Sequence, residues 1–122
     1  MKDARFAFGE NIVPLKAPVD SAGTAYATPF VDLKNALHAT FFWYAGVVTA
    51  TSADQNIVIT MEAATAAASG SEVAIAFKYR LSGATGANTW GAITAATSAG
   101  YSYATDADGK MLLIDIDPAG LD

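Results

Sequence analysis

The sequence contains no cysteine and only one histidine among its 122 residues. Without cysteine the chain has no disulfide bonds, no thiolate metal sites and no thiol nucleophile. Basic residues are also few, because 7 Lys and Arg stand against 12 Asp and Glu and give a net charge of -5. Binding to nucleic acid requires a basic surface that replaces the counterions around phosphate. The charge balance therefore argues against nucleic acid, and equally against an anionic membrane surface, as a partner.

Long hydrophobic runs are missing as well. The longest apolar stretch, residues 36–50, contains His38, Thr40, Gly46 and Thr49 and is shorter than the roughly 20 residues that span a bilayer. Residues 1–5 place an acid among the bases and no continuous apolar block follows them. We therefore expect no cleavable signal peptide and synthesis in the cytoplasm.

Alanine accounts for much of the apolar content. The sequence has 27 alanines and 37 larger apolar residues. A chain of this length builds one domain, and so few large side chains predict a thin core.

A period of two in apolar residues, punctuated by Gly, Ser, Asn and Asp, predicts an all-β chain from residue 24 onward. In the clearest segment, 73–81, the odd-numbered side chains face one way and the even-numbered side chains the other. No amphipathic helix of 10 to 15 residues separates the strands, so we expect an antiparallel β-sandwich or jelly-roll-like domain over residues 24–122. Seven strands are predicted, near residues 26–31, 38–49, 57–62, 73–81, 89–94, 100–104 and 112–117.

Three of the four prolines fall within the first 29 residues, where they would interrupt any sheet ladder. Residues 1–23 are therefore predicted to form an extended N-terminal arm. The arm is too apolar for a solvated tail and is expected to lie on its own domain or on a neighbour. Its large apolar residues include Phe6, Phe8, Ile12, Val13 and Leu15.

Two segments allow a helical alternative. Residues 32–36 are compatible with a single helical turn that has Asp32 as its N-cap. Residues 62–68 have high helix propensity, but about seven residues are marginal as a helix without packing. For the second segment we favour a strand that gives way to a loop.

Residues suited to catalysis are sparse. His38 has no nearby partner that would make it a base or a metal ligand, and no Gly-x-Ser-x-Gly elbow is present. The stretch 82–90 is predicted to be a glycine-rich hairpin with Trp90 packed near its turn. We predict no catalytic residues, no metal site and no cofactor.

Residues 41–44 read Phe-Phe-Trp-Tyr. Alternation along a strand puts Phe41 and Trp43 on one face and Phe42 and Tyr44 on the other. Two interpretations stay open: the strand is central and covered on both faces, or its second face is a protein contact.

Four segments carry a resemblance to a known group of proteins. They are residues 31–41, the aromatic strand that closes at Gly46, residues 57–65 and residues 110–117. Together they resemble the small structural proteins of tailed bacteriophages that are encoded beside the major capsid protein. The resemblance implies a head decoration or cement protein with a β-sandwich fold, located on the outside of the virion. Its implied partners are the major capsid protein and further copies of the chain.

The sequence therefore predicts a non-enzymatic virion structural protein. The alternative is a carbohydrate-binding or host-recognition module in which Trp90, Tyr101 and Tyr103 form an exposed sugar platform. The residues predicted at the interface are Phe6, Phe8, Ile12, Val13, Phe42, Tyr44, Trp90, Tyr101 and Tyr103.

Overall fold

The computed structural model describes residues 13–19, 25–47, 57–65, 70–103 and 108–120. The chain divides into two compact units, Met1–Val31 and Asp32–Asp122. The predicted boundary between residues 23 and 24 falls beside residues outside these ranges and stays a prediction.

In the first unit, the described residues form neither helix nor strand. The ammonium group of Lys16 lies 5.3 Å from the centre of the Tyr26 ring, a cation–π distance. The strand predicted at 26–31 is wrong, since these residues have no ladder partner in the described chain. Pro29 lies within the segment and has no backbone N–H to donate to such a ladder.

In the second unit, the all-β prediction is confirmed. The only helical element among the described residues is a 3-10 turn at Pro118–Gly120, and every described strand pair is antiparallel. The strands are β1 (Ala39–Tyr44), β2 (Ile57–Ile59), β3 (Met61–Ala63), β4 (Val73–Ile75), β5 (Phe77–Leu81), β6 (Thr94–Ala96), β7 (Tyr101–Tyr103) and β8 (Met111–Ile116).

The strands form one larger sheet and two small ones. The four-stranded sheet has the order β1-β8-β5-β6, whereas β2 pairs with β7 and β3 pairs with β4. Two predicted strands are each divided by a single residue, Thr60 or Ala76. The strand expected at 89–94 begins five residues later, at Thr94, and only Trp90 of the earlier segment makes a bridge, to Ser82.

Each of these divisions marks a change of partner. The chain from β2 to β3 pairs first with β7 and then, after Thr60, with β4. The chain from β4 to β5 pairs first with β3 and then, after Ala76, with β6 and β8. Two continuous stretches of chain therefore link the three sheets.

The core is centred on β8. Leu112, Ile114 and Ile116 alternate with partly or fully exposed residues, and all three are buried. The thin core predicted from the alanine content is confirmed for the described residues, because the buried hydrophobic group has seven members of which two are alanines. The members are Ala45, Phe77, Ala96, Tyr103, Leu112, Ile114 and Ile116.

Aromatic rings extend this core between sheets. The Trp43 and Tyr103 rings meet edge to face with centroids 4.4 Å apart, and Tyr101 lies 5.9 Å from Tyr103. Tyr79 then packs 4.4 Å from Tyr101 and 6.3 Å from Phe77. This chain of five rings connects β1 and β5 of the large sheet with β7 of a small one, and such pairs add about 0.5–1.5 kcal/mol each beyond the area they bury.

A short turn precedes β1. The Lys34 N–H donates to the Asp32 carboxylate at 2.9 Å, and the Ala36 N–H donates to the carbonyl of Leu33 at 2.9 Å. Asp32 thus accepts from the backbone two residues on, the pattern of an Asx turn. The residues form a turn instead of a helix, and it leads the chain into β1.

Candidate functional site

One face of the four-stranded sheet is directed away from the core, and we call it the outer face. The strand register places Thr40 opposite Asp115, Phe42 opposite Leu113, and Tyr44 opposite Met111. On the other side of β8, Lys78 pairs with Asp115 and Arg80 with Leu113. The outer face therefore consists of Thr40, Phe42, Tyr44, Lys78, Arg80, Met111, Leu113 and Asp115, with Ala95 of β6 beside Lys78.

The outer face exposes the two large rings that the alternation of β1 predicted for one side of the strand. Phe42 is 58% exposed and Tyr44 is 61% exposed, while Phe41 and Trp43 pack against the core. The interpretation of a central strand covered on both faces is wrong, because β1 lies at the edge of the four-stranded sheet in the described chain. The protein-contact interpretation of this face stays a prediction.

The outer face changes character along its length. At one end the His38 ring nitrogen Nε2 lies 2.9 Å from Oδ1 of Asp115 and 3.1 Å from the Thr40 hydroxyl. One nitrogen thus faces both groups, whereas a catalytic relay uses the two ring nitrogens for different partners. Both side chains are more than half exposed, so this contact contributes about 1 kcal/mol at most. His38, Thr40 and Asp115 thus connect the start of β1 with the end of β8.

At the other end the outer face opens into a groove of about 240 Å³, which we call the aromatic groove. Tyr44, Trp90 and Met111 provide its large side chains. Its lining is completed by Ser82, Ala84, Thr85, Gly86, Ala87 and Gly109. None of these nine residues is charged.

The hairpin that carries Trp90 is held by backbone hydrogen bonds. The Gly83 N–H donates to the carbonyl of Thr89 at 2.8 Å, and the Ala87 N–H donates to the carbonyl of Ala84 at 2.9 Å. These bonds confirm the predicted hairpin at 82–90 and place Trp90 beside its base.

Further hydrogen bonds join this hairpin to the turn before β8. The Thr85 hydroxyl donates to the carbonyl of Gly109 at 3.1 Å, and the Met111 N–H donates to the hydroxyl of Ser82 at 2.8 Å. Gly109 has φ +66, and a Cβ there would meet the Thr85 hydroxyl at 2.5 Å. Both the positive φ and the nearby Thr85 hydroxyl favour glycine at this position. The two hydrogen bonds hold this wall of the groove in place.

The remaining predicted interface residues are spread over the chain. Phe6, Phe8 and Ile12 lie outside the described residues. Val13, in the first unit, is 51% exposed, and Trp90 is 39% exposed at the groove.

The predicted exposure of Tyr103 is wrong. Its side chain is 0% exposed, its ring packs on Trp43, and its hydroxyl donates to the carbonyl of Lys110 at 2.9 Å. Tyr101 is half buried against Tyr79. The sugar platform of Trp90, Tyr101 and Tyr103 is therefore not formed, because Trp43 and Tyr79 of the large sheet pack on the two tyrosines.

The described residues do not bring three potential metal-ligating side chains together at any point. Within the same residues, no helix has the length and apolar character needed to cross a membrane.

No protein-family model, no curated protein and no solved structure matches the chain.

The aromatic groove was not predicted from the sequence. The hairpin wall of the groove could be predicted from the sequence, because the glycine-rich stretch 82–90 indicated a turn with Trp90 close to it. The other half comes from Tyr44 and Met111, which are far from Trp90 in the sequence and reach the groove only through the pairing of β1 with β8.

Proposed function

We propose that the chain is a non-enzymatic structural protein of a tailed-bacteriophage particle, a head decoration or cement protein on the outside of the capsid. In this role it binds the major capsid protein and further copies of itself. The sequence resemblance over residues 24–122 is the origin of the proposal, and the outer face supports it physically.

The observation that carries the proposal is the exposure of Phe42 and Tyr44 on one sheet face. They stand beside Leu113 and Met111, which are partly exposed on the neighbouring strand. Scattered apolar residues on a surface are ordinary, but a contiguous apolar patch with a polar border is typical of a protein contact. Aromatic residues are also the most frequent anchors of such contacts.

The composition fits attachment through many weak contacts. A repeated subunit on a lattice can bind through modest individual contacts, because linked sites raise the effective affinity without any single strong one. Alanine side chains suit this mode, since they lose almost no rotamer entropy when they are buried. The thin core agrees with a subunit that gains part of its stability from its neighbours.

We further propose that the second unit is a two-layer β-sandwich or a jelly-roll-like domain. In such folds, strands bend and pass from one sheet to the other at the corners. The changes of partner at Thr60 and Ala76 have this form. The five packed rings would then fill the space between the two layers.

The contact is tested by cosedimentation with shells assembled from the major capsid protein encoded beside this chain. We expect the wild type to bind and Phe42→Ala to bind at least tenfold more weakly, because truncating an aromatic anchor costs about 2 kcal/mol or more. Val58→Ala is the control, since Val58 is 53% exposed on β2, away from the outer face. Equal binding by wild type and F42A would remove the outer face from the mechanism, and no binding by the wild type would reject the capsid partner.

The arm is tested by deleting residues 1–15. We expect the deletion to abolish attachment to the shell while circular dichroism and thermal unfolding stay those of a folded β protein. Undiminished binding would show that the arm has no part in attachment.

A further inference from the structure

We infer that the aromatic groove is a binding site for the ring of a neutral saccharide. The inference concerns a ligand other than the capsid and does not depend on the proposed assembly role. It rests on the side chains of the groove, on their lack of charge and on the bonds that fix its walls.

Two side chains give the groove its recognition chemistry. Tyr44 and Trp90 each combine a flat apolar ring with one polar group, a hydroxyl or an indole N–H. Neither group has a hydrogen-bond partner within the described residues. A sugar ring has the complementary form, with C–H groups on its face for stacking and hydroxyls around its edge for hydrogen bonds.

The electrostatics of the groove select for a ligand without charge. The nine lining residues include no Lys, Arg, Asp, Glu or His, although the chain as a whole carries a net charge of -5. Among the lining residues that the structure describes, a phosphate or an acidic sugar would find no cation to replace its hydration. A neutral polyhydroxylated ring keeps its hydroxyls at the open side, in water, and buries only its apolar face.

The groove is also formed in advance of any ligand. The hairpin at 82–90 is closed by its own backbone bonds, and Thr85 and Ser82 join it to the turn before β8. A rigid wall lowers the entropic cost of binding. Two aromatic residues on separate, fixed elements therefore face a volume of about 240 Å³ that is open to solvent.

The full chain, labelled with ¹⁵N, is titrated with a panel of neutral oligosaccharides (glucose, galactose and N-acetylglucosamine oligomers) and with a sialylated and a sulfated oligosaccharide. The two indole N–H signals, from Trp43 and Trp90, are assigned with Trp90→Phe. We expect saturable shifts of the Trp90 signal with at least one neutral oligosaccharide, while the Trp43 signal stays in place because that residue packs against the core.

Variants then assign the binding to the groove. Trp90→Ala and Tyr44→Ala are expected to weaken binding at least tenfold. Tyr44→Phe keeps its phenyl ring and Trp90→Phe keeps a smaller aromatic ring, so both are expected to weaken binding less than the alanine variants. Phe30→Ala is the matched control, since Phe30 is an aromatic residue of the first unit with an exposure of 43%, close to that of Trp90.

Several results would overturn the inference. These are the absence of saturable shifts with every neutral sugar, a preference for the sialylated or sulfated sugar, and undiminished binding by both alanine variants. A Trp90 signal that moves on dilution of the protein but not on addition of sugar would assign the groove to a second copy of the chain and would overturn it as well.

Discussion

The hydroxyl of Tyr103 is a polar group that the small core accommodates through a hydrogen bond. Its hydroxyl donates to the carbonyl oxygen of Lys110 at 2.9 Å, and the same oxygen accepts the N–H of Ala45 at 3.2 Å. A carbonyl oxygen has two lone pairs, and here each of them has a donor. Tyr103 thus fixes the chain just before β8 while its ring packs on Trp43.

Replacing Tyr103 with Phe should lower the free energy of unfolding by about 1 kcal/mol. The variant loses one hydrogen bond, but the Lys110 carbonyl keeps its bond from Ala45, so the larger cost of an unsatisfied buried group does not arise. Urea denaturation measures the effect, and Tyr44→Phe is the control because Tyr44 is 61% exposed. An equal loss in both variants would contradict the role assigned to the Tyr103 hydroxyl.

Glu72 is a residue whose charge is linked to folding. Hydrogen bonds from the backbone N–H groups of Glu72 itself and of Gly70, the latter at 2.6 Å, hold the pKa of its carboxyl below the ordinary value. Because the pKa is lower in the folded state, the carboxylate stabilises the fold above the unfolded pKa. That contribution is lost as the pH falls through the folded pKa.

We therefore expect Glu72→Gln to be less stable than the wild type at neutral pH and to approach it on acidification below about pH 4. Denaturant titrations of both proteins at several pH values measure the difference. A difference that is independent of pH would show that the charge of Glu72 has no part in stability.

At the scale of the element, β1 has one face on the core and one face exposed. Trp43 packs on Tyr103 at 4.4 Å, whereas the next residue, Tyr44, stands on the outer face. Successive side chains of a strand point to opposite sides. One strand therefore packs one set of rings on the core and leaves another set exposed.

Substitutions at these two adjacent positions should have very different effects on stability. Trp43→Ala is expected to lower the free energy of unfolding by about 3 kcal/mol, as large-to-small changes in cores do. Tyr44→Ala should change it by no more than about 0.5 kcal/mol. Chemical denaturation provides the comparison, and similar losses in the two variants would mean that the outer face of β1 is covered within the chain.

Alternation along the sequence predicted which side chains share a face but not which face is covered. It placed Phe77, Tyr79 and Leu81 together, and these residues do lie on the core side of β5. It also placed Tyr101 and Tyr103 together, but their burial depends on Trp43 and Tyr79, which come from other strands. The strand predicted at 26–31 was wrong for a related reason, since a strand also needs a neighbouring strand with which to form hydrogen bonds.

The aromatic groove was less predictable than the strands. The hairpin that carries Trp90 is a local structure and follows from Gly, Ser and Asn in its turn. The position of Tyr44 opposite Met111 depends on the register of β1 on β8. Side chains so far apart in the sequence are brought together only by tertiary structure, so spacing along the chain gave no indication of the site.

At the scale of the whole molecule, the order of strands in space differs from their order in the chain. β8, the last described strand, lies between β1 and β5 in the large sheet. Thr40 and Asp115, which face each other across this sheet, are 75 positions apart. Folds built on such distant pairs close large loops before they gain packing energy, and they fold more slowly than folds rich in local contacts.

The central position of β8 in the large sheet affects how the chain folds during its synthesis. A nascent chain leaves the ribosome from its amino end, at about 5–20 residues per second. Until Leu112, Ile114 and Ile116 have emerged from the exit tunnel, Trp43 and Phe77 lack the side chains of β8 that belong to the same core. The four-stranded sheet can therefore form only after β8 has emerged, and the apolar side chains of the earlier strands lack their native cover until then.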